Sequence, residues 1–118
     1  MKLFSWLTGW LSHRDRATSL YRRGMAKAKL HDHKSAIADY TIVISMVDAP
    51  SDLRAMALYN RSHASSAGHD HSAAIGDLEK LLKMPGAAAN VKTEARRKLM
   101  RVRRTSDRLD ERPSTRES

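Results

Sequence analysis

Residues 20–44 read LYRRGMAKAKLHDHKSAIADYTIVI, and residues 58–82 read LYNRSHASSAGHDHSAAIGDLEKLL. Leu20, Tyr21, Arg23, Ala26, His31, Asp32, His33, Ala36, Ile37 and Asp39 recur as Leu58, Tyr59, Arg61, Ala64, His69, Asp70, His71, Ala74, Ile75 and Asp77, always 38 positions on. Self-similarity at a fixed period of this size marks a chain built by stacking one supersecondary unit. Within each copy the apolar residues fall at helical spacing on either side of the His-Asp-His turn, so the unit is a helix pair.

The regions around the copies extend this reading. Asp32 and Asp70 are placed to cap the second helix of each pair, because a short carboxylate accepts from the orphan N–H groups of a first turn. Apolar stripes predict helices over about 17–30, 34–47 and 52–67, a fourth after Asp70 with its stripe at Ala74, Ile75, Leu78, Leu81 and Leu82, and a fifth over about 91–104 or beyond, with Asp48-Ala49-Pro50 and Pro85-Gly86 as stops. Val47 closes the stripe of the second helix. Ser51 is expected to cap the third, and Gly68 to take the left-handed position after it. Gly24 lies inside a helix at a cost of about 1 kcal/mol relative to alanine, which close helix approach would justify. The fifth helix has a narrow stripe, Val91, Ala95, Leu99 and Val102, on an otherwise basic surface that includes Lys92, Arg96, Arg97, Lys98, Arg101, Arg103 and Arg104. One packed face and one wet face suit the end of a stack.

Residues 1–13, MKLFSWLTGWLSH, are the most apolar stretch, with Leu3, Phe4, Trp6, Leu7, Trp10 and Leu11. The run is too short to span a bilayer and matches a secretory signal poorly. It has three readings: a cap docked on the repeats, a helix on a membrane surface, or a contact with another chain, including a second copy. Arg14-Asp15-Arg16 is expected to be a polar hinge after it. Residues 105–118 are polar and are expected to be a disordered tail after at most one more helical turn. The organisation is therefore an apolar segment (1–13), a helical domain (14–104) and a tail (105–118).

With 118 residues the chain forms one domain, and with no cysteine it has neither disulfides nor thiolate chemistry. The absence of cysteine is compatible with a reducing compartment, and cytoplasmic placement is the expectation. A formal net charge of +9 points to acidic partners: an acidic protein face, nucleic acid or an anionic membrane. No glycine-rich phosphate loop and no nucleophile motif is present, so no catalytic residue and no cofactor is expected. The paired histidines of each turn invite a metal, but neighbours within one turn converge poorly and no carboxylate cluster completes a site, so none is expected.

Leu20-x2-Arg23-Gly24, Ala36-x3-Tyr40 and Pro50, with Leu58-x2-Arg61-Ser62, Ala74-x3-Leu78 and Pro85, resemble the tetratricopeptide repeat, a helix pair of about 34 residues. The likeness covers about residues 17–86. The departures are the longer period, Ser62 in place of the packing glycine, and His31 and His69 where a glycine usually ends the first helix. The resemblance implies an all-α chain, a short α-solenoid with two helix pairs and a C-terminal capping helix. It also implies a non-catalytic protein-interaction module, an adaptor or assembly factor.

In that family the first helix of each pair lines a concave groove. Carried over by position, the groove residues are Tyr21, Met25 and Lys29, then Tyr59, His63 and Ser66, and one period further Arg97 and Arg101. Tyrosines offer area at low entropy cost and arginines pair with carboxylates, so the expected ligand is a peptide or helix of acidic character. Met25 and His63 stand where chaperone-binding members carry asparagine, so their C-terminal-carboxylate ligand is not expected. Nucleic acid is the alternative partner, through the basic fifth helix, although aromatic stacking residues are lacking there.

Overall fold

A computed structural model describes the backbone of residues 5–111 and the side chains of residues 15–111. The described residues form five α-helices: α1 (Ser5–Lys29), α2 (His33–Ser45), α3 (Ser51–Ala67), α4 (His71–Leu82) and α5 (Ala89–Asp110). The chain is all-α, and consecutive helices pack antiparallel, each on the one before it. α1 also meets α3, and α3 meets α5, whereas α2 and α4 do not touch. The odd helices therefore make one layer and the even helices another. No helix among the described residues is long and apolar enough to cross a membrane.

Both helix pairs turn the same way. Asp32 Oδ1 accepts from the N–H of Ser35 at 3.3 Å, and Asp70 Oδ1 accepts from the N–H of Ala73 at 3.1 Å. These are the expected caps. The left-handed residue before each cap is a histidine, His31 at φ 61° and His69 at φ 68°. Asp32 N–H donates to Lys27 O at 2.9 Å and Asp70 N–H to Ser65 O at 2.8 Å, so a six-residue loop closes each first helix. The expectation for Gly68 fails: its φ is −84°, and His69, one residue later, takes the left-handed geometry.

Other boundaries also moved. Arg14-Asp15-Arg16 is not a hinge, because α1 runs unbroken through it. Nothing in that triplet breaks a helix, and polarity alone does not end one. α5 continues to Asp110, well beyond 104, carrying part of the expected tail. α2 stops at Ser45, which leaves Val47 87% exposed in the loop and outside the core. Pro50 occupies the cap position of α3, and Ser51 is its first helical residue, with no side-chain cap bond. Leu3 and Phe4 lie outside the described residues, as do the side chains of Trp6, Leu7, Trp10 and Leu11, on which the capping and membrane readings rest, and residues 112–118 of the tail.

The core comes in two pieces that share α3. Ala36, Tyr40 and Val43 of α2 pack with Ala57 of α3 and with Leu20, Tyr21 and Ala28 of α1. Ala55 and Leu58 of α3 pack with Ala74, Leu78 and Leu81 of α4 and Ala95, Leu99 and Val102 of α5. Each buried Leu contributes about 1.5–3 kcal/mol, so neither piece is large and each depends on α3 to complete it. Alanine at the closest approaches lets the backbones draw together. Gly24 does the same for one ring: a Cβ there would stand 2.6 Å from Tyr40 Cε1.

Candidate functional site

The repeated Arg and Asp positions meet within each helix pair. Arg23 donates from Nε and Nη2 to Asp39 at 2.9 and 2.8 Å, and Lys27 Nζ lies 3.0 Å from the same carboxylate. Arg61 donates in the same two-pronged manner to Asp77 at 2.8 and 2.7 Å, and also to Thr41 Oγ1 of α2 at 3.0 Å. Both carboxylates are buried. The Arg23 hydrogen bonds hold the Asp39 carboxyl below the usual range despite its burial. These pairs clamp α1 to α2 and α3 to α4, which leaves the exposed surface of the odd layer free for other uses.

On that surface α3 is the floor. Met25, Ala28 and Lys29 of α1, Tyr40 of α2, and Asn60 and His63 of α3 line a groove of about 300 Å³. Met56 and Tyr59 of α3 with Asn90, Val91 and Glu94 of α5 line a second, more apolar depression of about 260 Å³. Tyr21 forms a wall between helices: its hydroxyl accepts from Asn60 Nδ2 at 2.7 Å, and its ring lies 6.0 Å from that of Tyr40. Burial raises the Tyr21 hydroxyl pKa. It pushes Tyr40 up to about 12, with Tyr21 and Asp39 adding to the effect.

The expected groove residues thus divide among several places. Met25, Lys29 and His63 share the first groove, and Tyr59 lines the second. Arg97 is exposed beside that second depression and paired with Glu94 at 3.1 Å. Arg101 faces a third concavity of about 470 Å³ at the end of α5, with Arg104, Thr105, Asp107, Arg108 and Glu111. The Ser66 carbonyl is used in the turn that ends α3, accepting from the His69 N–H at 3.0 Å.

Lys98 escaped the sequence reading, which counted it on the wet basic face. It is only 8% exposed, and its Nζ lies 3.0 Å from His63 Nδ1. No carboxylate lies within ion-pair distance of it among the described residues. Burial lowers the Lys98 pKa, and Arg101 one turn along adds to that. His63 is held below its usual value by desolvation of its ring, then by Lys98 and His33. A signal was available. Lys98 stands 38 positions after Asn60, and each reaches from its helix toward the preceding odd helix, Asn60 to Tyr21 and Lys98 to His63.

Of the two His-Asp-His turns, the first reaches this surface through His33, which acts on His63. The rings of His31 and His33 stand 6.0 Å apart and edge-on, those of His69 and His71 6.4 Å. No group of three His, Asp or Glu side chains converges as a metal site among the described residues. No protein-family model, no curated protein and no solved structure matches the chain.

Proposed function

We propose that the chain is a tetratricopeptide-type adaptor or assembly factor. The exposed face of α1, α3 and α5 captures a peptide or helix of acidic character, and the protein works without catalysis, in the cytoplasm. The observation that carries this reading is the groove over α3. Its lining carries the Lys29 ammonium and the His63 imidazole, with the Lys98 ammonium bonded to that imidazole and Arg101 one turn further along α5, and no carboxylate lines it. The duplicated helix pair with matching turns and a matching two-pronged Arg–Asp clamp supports the solenoid assignment, since copying a unit copies its internal contacts.

Affinity capture with the full chain tests it. The bait is compared with a Lys29→Glu/Arg101→Glu variant, whose charges are reversed at exposed positions and whose fold is verified by circular dichroism. Wild type should retain acidic proteins that the variant loses. Equal retention removes the groove from the function. A second reading rests on the exposed arginine face of α5, Arg101, Arg104 and Arg108, and assigns nucleic acid as the partner. It gains ground if nuclease treatment abolishes capture and the loss follows Arg104→Ala/Arg108→Ala.

A further inference from the structure

Building on the adaptor reading, we infer that the face over α3 is a two-point site for an extended peptide. One apolar side chain seats between Tyr59 and Val91, and one carboxylate two or three residues away pairs with the His63–Lys98 couple.

The couple is a built feature. A lysine nine-tenths buried without a counter-ion is costly, because its ammonium has left water and gained only one hydrogen bond. The ammonium can only donate, so His63 Nδ1 must be the acceptor and the ring proton sits on Nε2. Lys98 therefore fixes the tautomer and leaves Nε2–H as a directed donor at an exposed position lining the groove. The charged and titratable groups around the couple are Lys29 on α1, His33 and Tyr40 on α2, and Arg101 on α5, which acts on Lys98. None carries a negative charge, since burial keeps the Tyr40 hydroxyl protonated. An incoming carboxylate supplies the one charge that the cluster lacks: it accepts from the His63 Nε2–H, while the Lys98 ammonium on the other ring nitrogen polarises that donor.

The other end of the face is different in kind. Around Met56, Tyr59 and Val91 the lining is apolar, and Glu94 is already matched by Arg97. α3 rises about 6 Å from Tyr59 to His63, and about 10 Å from Met56 to His63. Extended chain advances about 3.3 Å per residue, so two or three residues span the gap. Depressions of about 260 and 300 Å³ each hold a side chain. A helix about 10 Å across would not sink into either. The occupant is thus an extended segment with a leucine-like residue and an aspartate or glutamate at a set separation. The separation and order are properties of this chain's α3 and α5 that the adaptor reading does not contain.

The test uses the full chain and fluorescein-labelled eight-residue peptides. Each carries one Leu and one Glu on an Ala/Ser background, at separations of one to five. Fluorescence anisotropy should give the tightest binding at separations of two and three. Changing the peptide Glu to Gln should weaken that binding roughly tenfold, the usual scale for a charge-assisted bond. His63→Ala and Lys98→Met should each give a similar loss with the Glu peptide and little change with the Gln peptide. His63→Ala strips the buried Lys98 of its hydrogen bond, so the folds of both variants are verified by circular dichroism, and the peptide Glu-to-Gln change, which leaves the protein untouched, keeps the comparison valid if either melts early. The His63 imidazole, followed by NMR, should titrate at higher pH when the Glu peptide is bound.

Binding that ignores the Glu, its spacing or both variants overturns the two-point site and leaves the adaptor reading standing. So does protein capture sensitive to Lys29→Glu/Arg101→Glu when no peptide in the set binds. Tighter, Lys98-dependent binding of a single-stranded oligonucleotide would replace the carboxylate with phosphate and overturn the inference.

Discussion

Gly24→Ala and Gly76→Ala are the same chemical change in two helix interiors, and they should move stability in opposite directions. Neither glycine has a positive φ, so alanine is permitted at both and only the surroundings differ. At Gly24 an added Cβ would meet Tyr40 Cε1 at 2.6 Å and Cδ1 at 2.9 Å. Ordinary carbon contacts are about 3.5–4.0 Å, so the ring must retreat by about 1 Å. It has little room to do so, since Tyr40 is fully buried and its ring packs at a tilt near that of Tyr21. Overpacking of this kind costs about 1–3 kcal/mol, and the helix gains back about 1 kcal/mol from alanine. A net loss of up to about 2 kcal/mol follows. At Gly76, in α4, nothing lies within 4 Å of the added carbon, so only the propensity gain of about 0.5–1 kcal/mol remains. Urea denaturation followed by circular dichroism at the helical minimum measures both. In a Tyr40→Leu background, Gly24→Ala should lose its penalty, which assigns the effect to the ring. Gly24→Ala as stable as wild type, or a penalty that survives Tyr40→Leu, would refute the reasoning.

Two further predictions concern the polar interior. Arg61→Met leaves the buried Asp77 without its cation and should cost about 2–4 kcal/mol in urea melts. Arg23→Met should cost less, because Lys27 still neutralises Asp39 and Arg23 is already 58% exposed. Equal losses would sink that ordering. Tyr40 is held protonated in the fold up to about 12 against an ordinary value of 10.0. Its burial therefore contributes stability that is present below about pH 10 and lost as pH rises through the folded value. Absorbance at 295 nm should show one tyrosine ionising only with unfolding, and Tyr40→Phe should remove that step while leaving the other two.

The helix pairs, their Asp caps and most core positions were legible because they are local. Apolar period, cap chemistry and proline stops act over a few residues, and repetition doubled each signal. Leu58, Leu78, Leu81, Ala95 and Leu99 are buried as their stripes predict. The misses share a different cause. Helix continuity through Arg14-Asp15-Arg16 and on to Asp110 is not forbidden by any residue there, so polarity was a poor guide. Gly68 looked like the natural left-handed residue, yet the position is set by where the six-residue loop closes, and that falls on His69.

The candidate site was legible only in outline. Positions carried over from the tetratricopeptide pattern put Met25, Lys29 and His63 on one surface, but neither they nor the further step of 38 to Arg97 could show that Tyr21 turns inward to Asn60 or that Arg97 is engaged by Glu94. Sequence by itself determined that this protein is all-α, with a duplicated helix–turn–helix segment and a basic fifth helix, since those properties reside in patterns along the chain. Only the tertiary structure decided which cations are solvated and which are held. Lys98 is surrounded by arginines in sequence and reads as surface. Packing of α5 on α3 removes it from water and leaves one imidazole nitrogen, 35 positions away, as its hydrogen-bond partner among the described residues. That desolvation depends on what another helix brings to the same place, and no local pattern encodes it.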